Sequence, residues 1–229
     1  FNRTISKARK LKKYGAYLSY KIDELVKDKE IIITMLTDDK AVNDIIRSKT
    51  FLNNVCKETT VIDMSSTKPS TALDNYKTLK KKGVYFLDAP VSGGTKGAES
   101  ASLAIMVGGE KKIYKKNLKV LKMLGIPNYV GKPSSGQAAK LANQIIVGIT
   151  IGAVSEAIIL SKKLGLKPTN VLKALKGGWA DSKILQTHGL RMIKEDFKAR
   201  GKVASQLKDM ENILNLSLIH ISEPTRLDG

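Results

Sequence analysis

Four polar residues recur at intervals of three and four positions just ahead of a long apolar stretch: Gln137, Lys140, Asn143 and Gln144. This spacing predicts that they share one face of an α-helix. A lysine beside an apolar stretch is partly withdrawn from water, which lowers its pKa and suits it to donating and accepting protons. Spacing alone leaves the alternative that Lys140 is an ordinary solvated lysine.

A second group of candidate residues follows an apolar strand, in the run Asp88-Ala89-Pro90-Val91-Ser92-Gly93-Gly94. This position predicts the carboxyl edge of a parallel sheet, where α/β proteins bind ligands. Ser92 offers a hydroxyl, and Gly93 and Gly94 leave backbone N–H groups open to an anion. The run indicates a carboxylate site, although loops of this composition also occur without a function.

The first four residues, Phe1-Asn2-Arg3-Thr4, have the form of the end of the second strand of a Rossmann fold. An acidic residue at that point binds a ribose 2′-hydroxyl, and an arginine accommodates a 2′-phosphate. Arg3 and Thr4 are therefore candidate 2′-phosphate ligands, and the alternative is that they begin an exposed helix. No G-x-G-x-x-G motif for a pyrophosphate occurs in the 229 residues.

The elements that would position these residues alternate over the first 130 positions. Short apolar runs predict strands at 31–36, 60–64, 84–87 and 102–107, with helices predicted at 4–14, 22–26, 41–47, 71–82 and 111–123. This alternation predicts an α/β fold with a parallel sheet. Beyond residue 131 the pattern is helical only. A capping box formed by Ser134 and Gln137 opens a long helix that is apolar almost all round and should be buried within a domain or between subunits.

Composition narrows the classes of partner and site. The chain has 40 Lys and Arg against 21 Asp and Glu, a net charge of +19, but the basic residues are mostly scattered lysines and aromatic residues make up only 5%. Nucleic-acid surfaces favour arginine forks and aromatic platforms, so solvated lysine faces are the preferred interpretation. With one cysteine and two histidines, no disulfide scaffold or metal site is expected. No unbroken apolar run reaches the roughly 20 residues of a membrane span.

Taken together, these segments resemble the β-hydroxyacid dehydrogenases of the 6-phosphogluconate dehydrogenase superfamily. The chain is most similar to 3-hydroxyisobutyrate dehydrogenases and to the tartronate and succinic semialdehyde reductases. The motifs that carry the resemblance are, in chain order, NRT, IIITML, VIDMSS, DAPVSGG, LAIMVGGE, GQAAKLANQ, GGWADSK, MIKEDF and QLKDMEN. The resemblance implies a Rossmann-type parallel sheet that lacks its first βα unit, followed by an incomplete all-helical second domain.

The resemblance also implies roles for individual residues. Lys140 matches the catalytic lysine that moves a proton to or from the substrate hydroxyl. The matching substrate-binding residues are Ser92, Gly93, Gly94 and Asn143. The matching cofactor-binding residues are Asn2, Arg3, Thr4, Met35, Leu36, Ser66 and Lys208. The implied cofactor is NAD(P), and Arg3 slightly favours NADP.

The expected function is an NAD(P)-dependent oxidoreductase that interconverts a small 3-hydroxy acid, such as 3-hydroxyisobutyrate, and its semialdehyde. The alternatives are a reductase of glyoxylate, succinic semialdehyde or tartronate semialdehyde, and a non-catalytic lysine-rich binding module. The expected partners are a small carboxylate substrate and further copies of the full-length chain, with no membrane and no nucleic acid.

The expected organisation is a partial NAD(P)-binding domain over residues 1–131 and a partial helical domain over 132–216. Residues 217–229 continue no motif and are expected to be a foreign tail, and the chain is expected to be N-terminally truncated. The compartment is left open between cytoplasm and mitochondrion.

Overall fold

The computed structural model describes residues 1–198 and 203–220, and the chain forms two compact units, residues 1–140 and 141–229. The strands are β1 Ile31–Thr34, β2 Thr60–Asp63, β3 Tyr85–Asp88, β4 Val91–Ser92, β5 Leu103–Gly109 and β6 Gly125–Gly131. The helices are α1 Ile5–Arg9, α2 Ile22–Val26, α3 Asp39–Ile46, α4 Lys49–Asn54, α5 Pro69–Lys80, α6 Gly94–Glu99, α7 Lys111–Leu124, α8 Ser135–Lys163, α9 Pro168–Leu175, α10 Leu190–Ile193 and α11 Val203–His220. A 3₁₀ turn over Lys10–Tyr14 follows α1, and a π-helical turn over Leu185–Gly189 precedes α10.

The sheet of the first unit has the strand order β1-β2-β3-β5-β4, and β6 pairs with the other side of β5. β1, β2 and β3 are parallel, as predicted, and their last residues Thr34, Asp63 and Asp88 lie opposite one another. β5 runs antiparallel to both β3 and β4, so the sheet as a whole is mixed. The connection between β4 and β5, residues 93–102, is shorter than the crossover of about a dozen residues that a parallel neighbour needs.

The structure adds four elements to the predicted set: α4, β4, α6 and β6. The segment of β6 contains Pro127 between two glycines, a composition that indicates a turn. It forms a strand because it lies at the margin of the described sheet with β5 as its partner, where a proline is tolerated. β4 is only two residues long and lies inside the run that the sequence indicated as a loop.

Adjacent residues of the central strand β2 enter two different cores. Val61 packs with Val42 of α3 and Leu79 of α5 on one face of the sheet. Ile62 packs with Ile113 and other residues of α7 on the opposite face. Helices therefore cover both faces of the parallel strands, as they do in α/β proteins. Each such buried aliphatic side chain stabilises the fold by about 1.5–3 kcal/mol.

The second unit is built on the C-terminal part of α8. Its core is small and consists of Val154, Ile158, Leu172 and Leu185. The middle of α8 was expected to be buried, but several of its apolar side chains are exposed, namely Ile145, Ile146, Ile149, Ile159 and Leu160. By length and composition α8 could also cross a membrane, although one such helix is weak evidence for a span.

The two units divide at residue 140, inside α8, whereas the sequence pattern put its boundary at residue 131. In the last part of the described chain, α11 begins at Val203 and ends at His220. The helix therefore continues four residues into the segment interpreted as a tail. Residues 221–229, the rest of that segment, lie outside the described residues.

Candidate active site

The loops that follow β1 and β2 are hydrogen-bonded to each other at the carboxyl edge of the sheet. The backbone N–H of Leu36 donates to Ser65 Oγ at 2.9 Å. Two residues earlier on each side, Thr34 Oγ1 donates to Asp63 Oδ1 at 2.8 Å. Leu36 and Ser66, both expected to contact the cofactor, therefore lie in two loops that are fixed against one another. Met35 precedes Leu36 with 65% of its surface exposed.

Asp63 is a completely buried carboxyl group beneath these loops. Its Oδ1 accepts hydrogen bonds from Thr34 Oγ1 and from the backbone N–H of Ser65. Its Oδ2 has no hydrogen-bond partner among the residues that the structure describes. Burial raises the pKa of Asp63, and the hydrogen bonds from Ser65 and Thr34 act in the opposite direction.

Asp88, the last residue of β3, caps the start of α8. Its two carboxylate oxygens accept the backbone N–H groups of Ser134 and Gln137, both at 2.9 Å. The predicted capping box of Ser134 and Gln137 is therefore wrong: the Gln137 side chain instead bonds the Ser65–Thr67 loop, and a carboxylate from β3 supplies the cap. Burial raises the pKa of Asp88 to about 6, against the lowering effect of these two N–H donors.

Two glycines allow the start of α8 to lie directly against Asp88. A Cβ atom on Gly108 would lie 2.6 Å from Asp88 Oδ1 and 2.6 Å from the backbone nitrogen of Gly136. A Cβ atom on Gly136 would overlap the carbonyl oxygens of Asp88 and Met106. Only glycine at both positions permits this approach, so α8 is held close to the carboxyl ends of β3 and of its neighbours.

Lys140 lies on α8 one turn after Gln137, and only 9% of its surface is exposed. The spacing left open whether Lys140 is partly desolvated or solvated, and the structure buries it. The cap at Asp88 and the approach through Gly136 determine where the first turn of α8 lies. Lys140 is thus held in place by contacts at the carboxyl end of the parallel strands, where Asp88 ends β3.

The predicted carboxylate-binding residues Ser92, Gly93 and Gly94 lie where β4 ends and α6 begins. Ser92 ends β4, where it pairs with Ala104, and its side chain is partly buried. Gly93 and Gly94 have φ angles of 139° and 62°, which favour glycine, and both are exposed. Their backbone N–H groups are therefore part of an accessible turn, as a carboxylate site requires.

The N-terminal candidates form a short turn. Asn2 Oδ1 accepts the backbone N–H of Thr4 at 2.8 Å, and Arg3 and Thr4 are exposed. Lys40, at the start of α3, has a raised pKa because of its hydrogen bond to Asp44, and the positive charge of Arg3 acts against this shift. Arg3 therefore lies near the helix that follows β1.

In the second unit, a chain of polar contacts connects two further predicted residues, Asn143 and Lys208. Asn143 Nδ2 donates to Gln144 Oε1 at 2.9 Å, and Gln144 Nε2 donates to Asp209 Oδ2 at 2.7 Å. Asp209 Oδ1 lies 3.3 Å from Lys208 Nζ. Gln144 and Asp209 join α8 to α11 and hold both residues. The sequence pattern grouped Gln144 with the lysine face but did not predict this contact.

No role was predicted for the carboxyl groups of Asp63 and Asp88. Each stands at the end of a predicted parallel strand, and that position is the signal that could have drawn attention to them. Gln137 was noticed, but for a capping role. Its actual partners, Ser65 and Thr67, are about 70 positions away in sequence, and local spacing carries no information on such a contact.

Two family models match the chain. The NAD-binding domain of 6-phosphogluconate dehydrogenase matches residues 1–158. The NAD-binding domain of NADP-dependent 3-hydroxyisobutyrate dehydrogenase matches residues 134–219. The two overlap over residues 134–158, which is most of α8 and contains Lys140 and Asn143.

The chain is similar over most of its length to several known proteins. It is 40% identical to 2-hydroxy-3-oxopropionate reductase of Escherichia coli over 82% of this chain, and it spans 64% of the length of that relative. It is 30% identical to the probable 3-hydroxyisobutyrate dehydrogenase-like 2, mitochondrial, of Arabidopsis thaliana, over 92% of this chain and 71% of that one.

Among solved structures, 3-hydroxyisobutyrate dehydrogenase of Mycobacterium tuberculosis with L-serine superimposes with a TM-score of 0.86 at 26% identity, over 97% of this chain and 79% of that one. The predicted fold class, an α/β Rossmann-type domain followed by helices, is confirmed by this likeness. The chain belongs to the β-hydroxyacid dehydrogenase family.

Proposed function

We propose that the protein is an NAD(P)-dependent oxidoreductase that interconverts a small 3-hydroxy acid and its semialdehyde, with Lys140 as the general acid and base. The observation that carries this proposal is the buried Lys140 on a helix that is capped by Asp88 at the carboxyl edge of the sheet. In parallel α/β sheets this edge is where ligands bind. Membership of the family supports the same activity.

In this proposal Lys140 handles the proton of the reacting oxygen. In the oxidative direction the neutral amine accepts the hydroxyl proton of the substrate, and in the reductive direction the ammonium returns it to the carbonyl oxygen. The burial of Lys140 near the start of α8 supports this role. The rigid first turn of α8 keeps the amine in place during the transfer.

The substrate carboxylate is proposed to bind at Ser92, Gly93 and Gly94. The exposed turn with two glycines at positive φ supplies backbone N–H groups, and Ser92 supplies a hydroxyl. Asn143 is proposed to contact the substrate beside the lysine, held by Gln144. A fixed carboxylate orients the hydroxyl carbon, which is the purpose of such a site in a reaction that transfers a hydride.

The residues at the ends of β1 and β2 are suited to hold a dinucleotide. Met35 is exposed at the end of its strand, and Thr67 Oγ1 is buried without a hydrogen-bond partner in the part of the chain that the structure describes. The proposed contacts are Asn2, Arg3, Thr4, Met35, Leu36, Ser66 and Lys208. When bound, NAD(P) supplies or accepts the hydride. Arg3, with its exposed guanidinium, makes NADP the favoured form.

Two substrate classes are compatible with the proposed chemistry. The E. coli relative is named for reducing 2-hydroxy-3-oxopropionate, which is tartronate semialdehyde, and the Arabidopsis relative is named for 3-hydroxyisobutyrate. L-serine, present in the M. tuberculosis structure, also carries a carboxylate and a β-hydroxyl. We favour the 3-hydroxy acid as the substrate. Reduction of tartronate semialdehyde, succinic semialdehyde or glyoxylate remains the alternative, because the same residues operate in both directions.

The exposed apolar side chains of α8 support self-association of the full-length protein. A row of exposed isoleucines is typical of an interface between subunits rather than of a solvated surface. We therefore propose a homo-oligomer that acts on a small carboxylate, in the cytoplasm or the mitochondrion and without a membrane or a nucleic acid as partner. The mitochondrial possibility draws on the name of the Arabidopsis relative.

The proposal is tested by assaying the purified full-length protein with NADPH and NADH against methylmalonate, tartronate and succinic semialdehydes and glyoxylate. We expect consumption of the reduced nicotinamide with at least one of them, and the reverse reaction with the matching hydroxy acid. Absence of turnover with all four, for a protein that still binds the cofactor, would overturn the proposed activity and favour the lysine-rich binding module.

A further inference from the structure

Gln137 is completely buried in the first turn of α8, three residues before Lys140. Its side-chain amide bonds two main-chain groups of the loop after β2. Gln137 Oε1 accepts the N–H of Thr67 at 3.0 Å, and Gln137 Nε2 donates to the carbonyl oxygen of Ser65 at 2.8 Å. Its own backbone N–H donates to Asp88 Oδ2. A single residue therefore connects the loop, the end of β3 and the helix.

The two main-chain groups that Gln137 bonds lie on either side of Ser66. Ser65 is completely buried and Thr67 nearly so, so water cannot easily replace the amide if it is removed. The side chain of Ser65 also accepts the N–H of Leu36, which extends the connection to the loop after β1. The hydrogen bonds from the Gln137 side chain to the main chain on both sides of Ser66 therefore hold Ser66 in position relative to α8.

The chemistry of these contacts requires glutamine. One contact needs an acceptor and the other a donor, and the neutral amide offers both in a fixed orientation. An ionised glutamate of the same length has acceptors only, so one oxygen would face the carbonyl oxygen of Ser65. A methionine of similar size would satisfy neither contact.

We propose that Gln137 is a positioning residue that fixes the Ser66 loop and Lys140 relative to each other. This inference rests on the proposed function, because that function gives Ser66 its cofactor contact and Lys140 its proton transfer. Gln137 itself touches neither the substrate nor the cofactor in this account. It places the residues that do.

The test is Gln137→Glu, with Ala138→Glu as the matched control, since Ala138 is the exposed neighbour in the same turn. At about pH 8 the new carboxylate repels the Ser65 carbonyl, whereas a protonated carboxyl group at about pH 6 can donate to it and still accept from Thr67. The titratable groups that surround this position, and that act in the wild type as well, are Asp39, Asp63, Asp88 and Lys140. The kcat/KM and the NADPH affinity of each variant are therefore expressed as ratios to the wild type at the same pH.

We expect the kcat/KM ratio of Gln137→Glu to fall by about tenfold or more at the higher pH, with a matching loss of NADPH affinity by fluorescence titration, and both to recover at the lower pH. Ala138→Glu should stay near the wild type at both values. The inference would be overturned if Gln137→Glu behaved like the control at both pH values. It would also be overturned if the loss of kcat/KM and of NADPH affinity did not recover at the lower pH.

If Gln137→Glu unfolds at the higher pH, Gln137→Met takes its place. It should bind NADPH about tenfold more weakly at every pH, and an unchanged affinity would overturn the inference. The proposed function fails differently, since in that case the wild type turns over no substrate. In that case the NADPH affinity of the Gln137 variants still tests the role of Gln137. If the wild type is active and the Gln137 variants are unaffected, the role of Gln137 is refuted and the proposed function stands.

Discussion

Replacing Asp88 by asparagine removes a buried negative charge at the start of α8 and keeps the size of the side chain. The two N–H groups of Ser134 and Gln137 then face an amide that can accept one hydrogen bond and presents an NH₂ group to the other. Asparagine does not titrate. A comparison of the two proteins at several pH values therefore isolates the contribution of the Asp88 carboxyl group to the free energy of unfolding.

The sign of the effect follows from the two pKa values of Asp88. In the unfolded chain an aspartate titrates near 3.9, and in the folded protein burial raises the pKa of Asp88 to about 6. Between these values the folded state binds more protons, so the contribution of this group to stability is complete below about pH 4 and is lost as the pH rises through about 6. A difference of about two pH units corresponds to about 3 kcal/mol.

The assay is urea denaturation of the wild type and of Asp88→Asn from about pH 4 to about pH 7. The free energy of unfolding of the wild type, minus that of the variant, should fall by about 2 kcal/mol over this range, because an unfolded aspartate is already about half ionised at pH 4. Asp44→Asn is the control, because Asp44 is exposed on α3 and its ion pair with Lys40 lies at the surface, where such pairs contribute little to stability. A difference that stays constant or rises with pH would refute the reasoning, because the N–H donors would then outweigh burial.

Two further predictions concern the approach of α8 and the choice of cofactor. Gly136→Ala should lower the free energy of unfolding by about 3 kcal/mol, because its Cβ would overlap the carbonyl oxygens of Asp88 and Met106. Gly152→Ala, on the same helix with open space around it, should be neutral or stabilise by up to about 1 kcal/mol, and equal losses in urea denaturation would contradict this account. Arg3→Ala should raise the KM for NADP by about tenfold or more and leave the KM for NAD nearly unchanged, because the loss is that of a charge-assisted bond to a 2′-phosphate. An equal rise for both cofactors would remove Arg3 from that role.

Most of the elements could be predicted from the sequence because their signals are local. The apolar runs of β1, β2 and β3 are such signals, and each strand lies where it was expected. β6 could not be predicted, because its proline and glycines indicate a turn and only its pairing with β5 makes it a strand. The antiparallel direction of β5 likewise depends on which strands pair.

The site could be predicted only in part, because the contacts that fix it join residues far apart in the sequence. The motifs drew attention to Lys140, Ser92 and the glycines, but the residues that fix α8 act across the sheet. Asp88 caps a helix that begins 47 positions later, and Gln137 bonds a loop about 70 positions earlier. The apparent capping box is an instance of a local pattern overridden by a buried carboxylate, which is a better acceptor for helix N–H groups than a serine hydroxyl.

The most direct test of the central claim is the turnover number of Lys140→Ala in the full-length protein, measured together with NADPH affinity by fluorescence titration. If Lys140 transfers the proton, kcat should fall by about 100-fold or more, because a positioned acid or base contributes about 10²–10⁴ to the rate. NADPH affinity should change little. A kcat within a few-fold of the wild type, in a variant that still binds NADPH, would contradict the assignment of Lys140 as the catalytic residue.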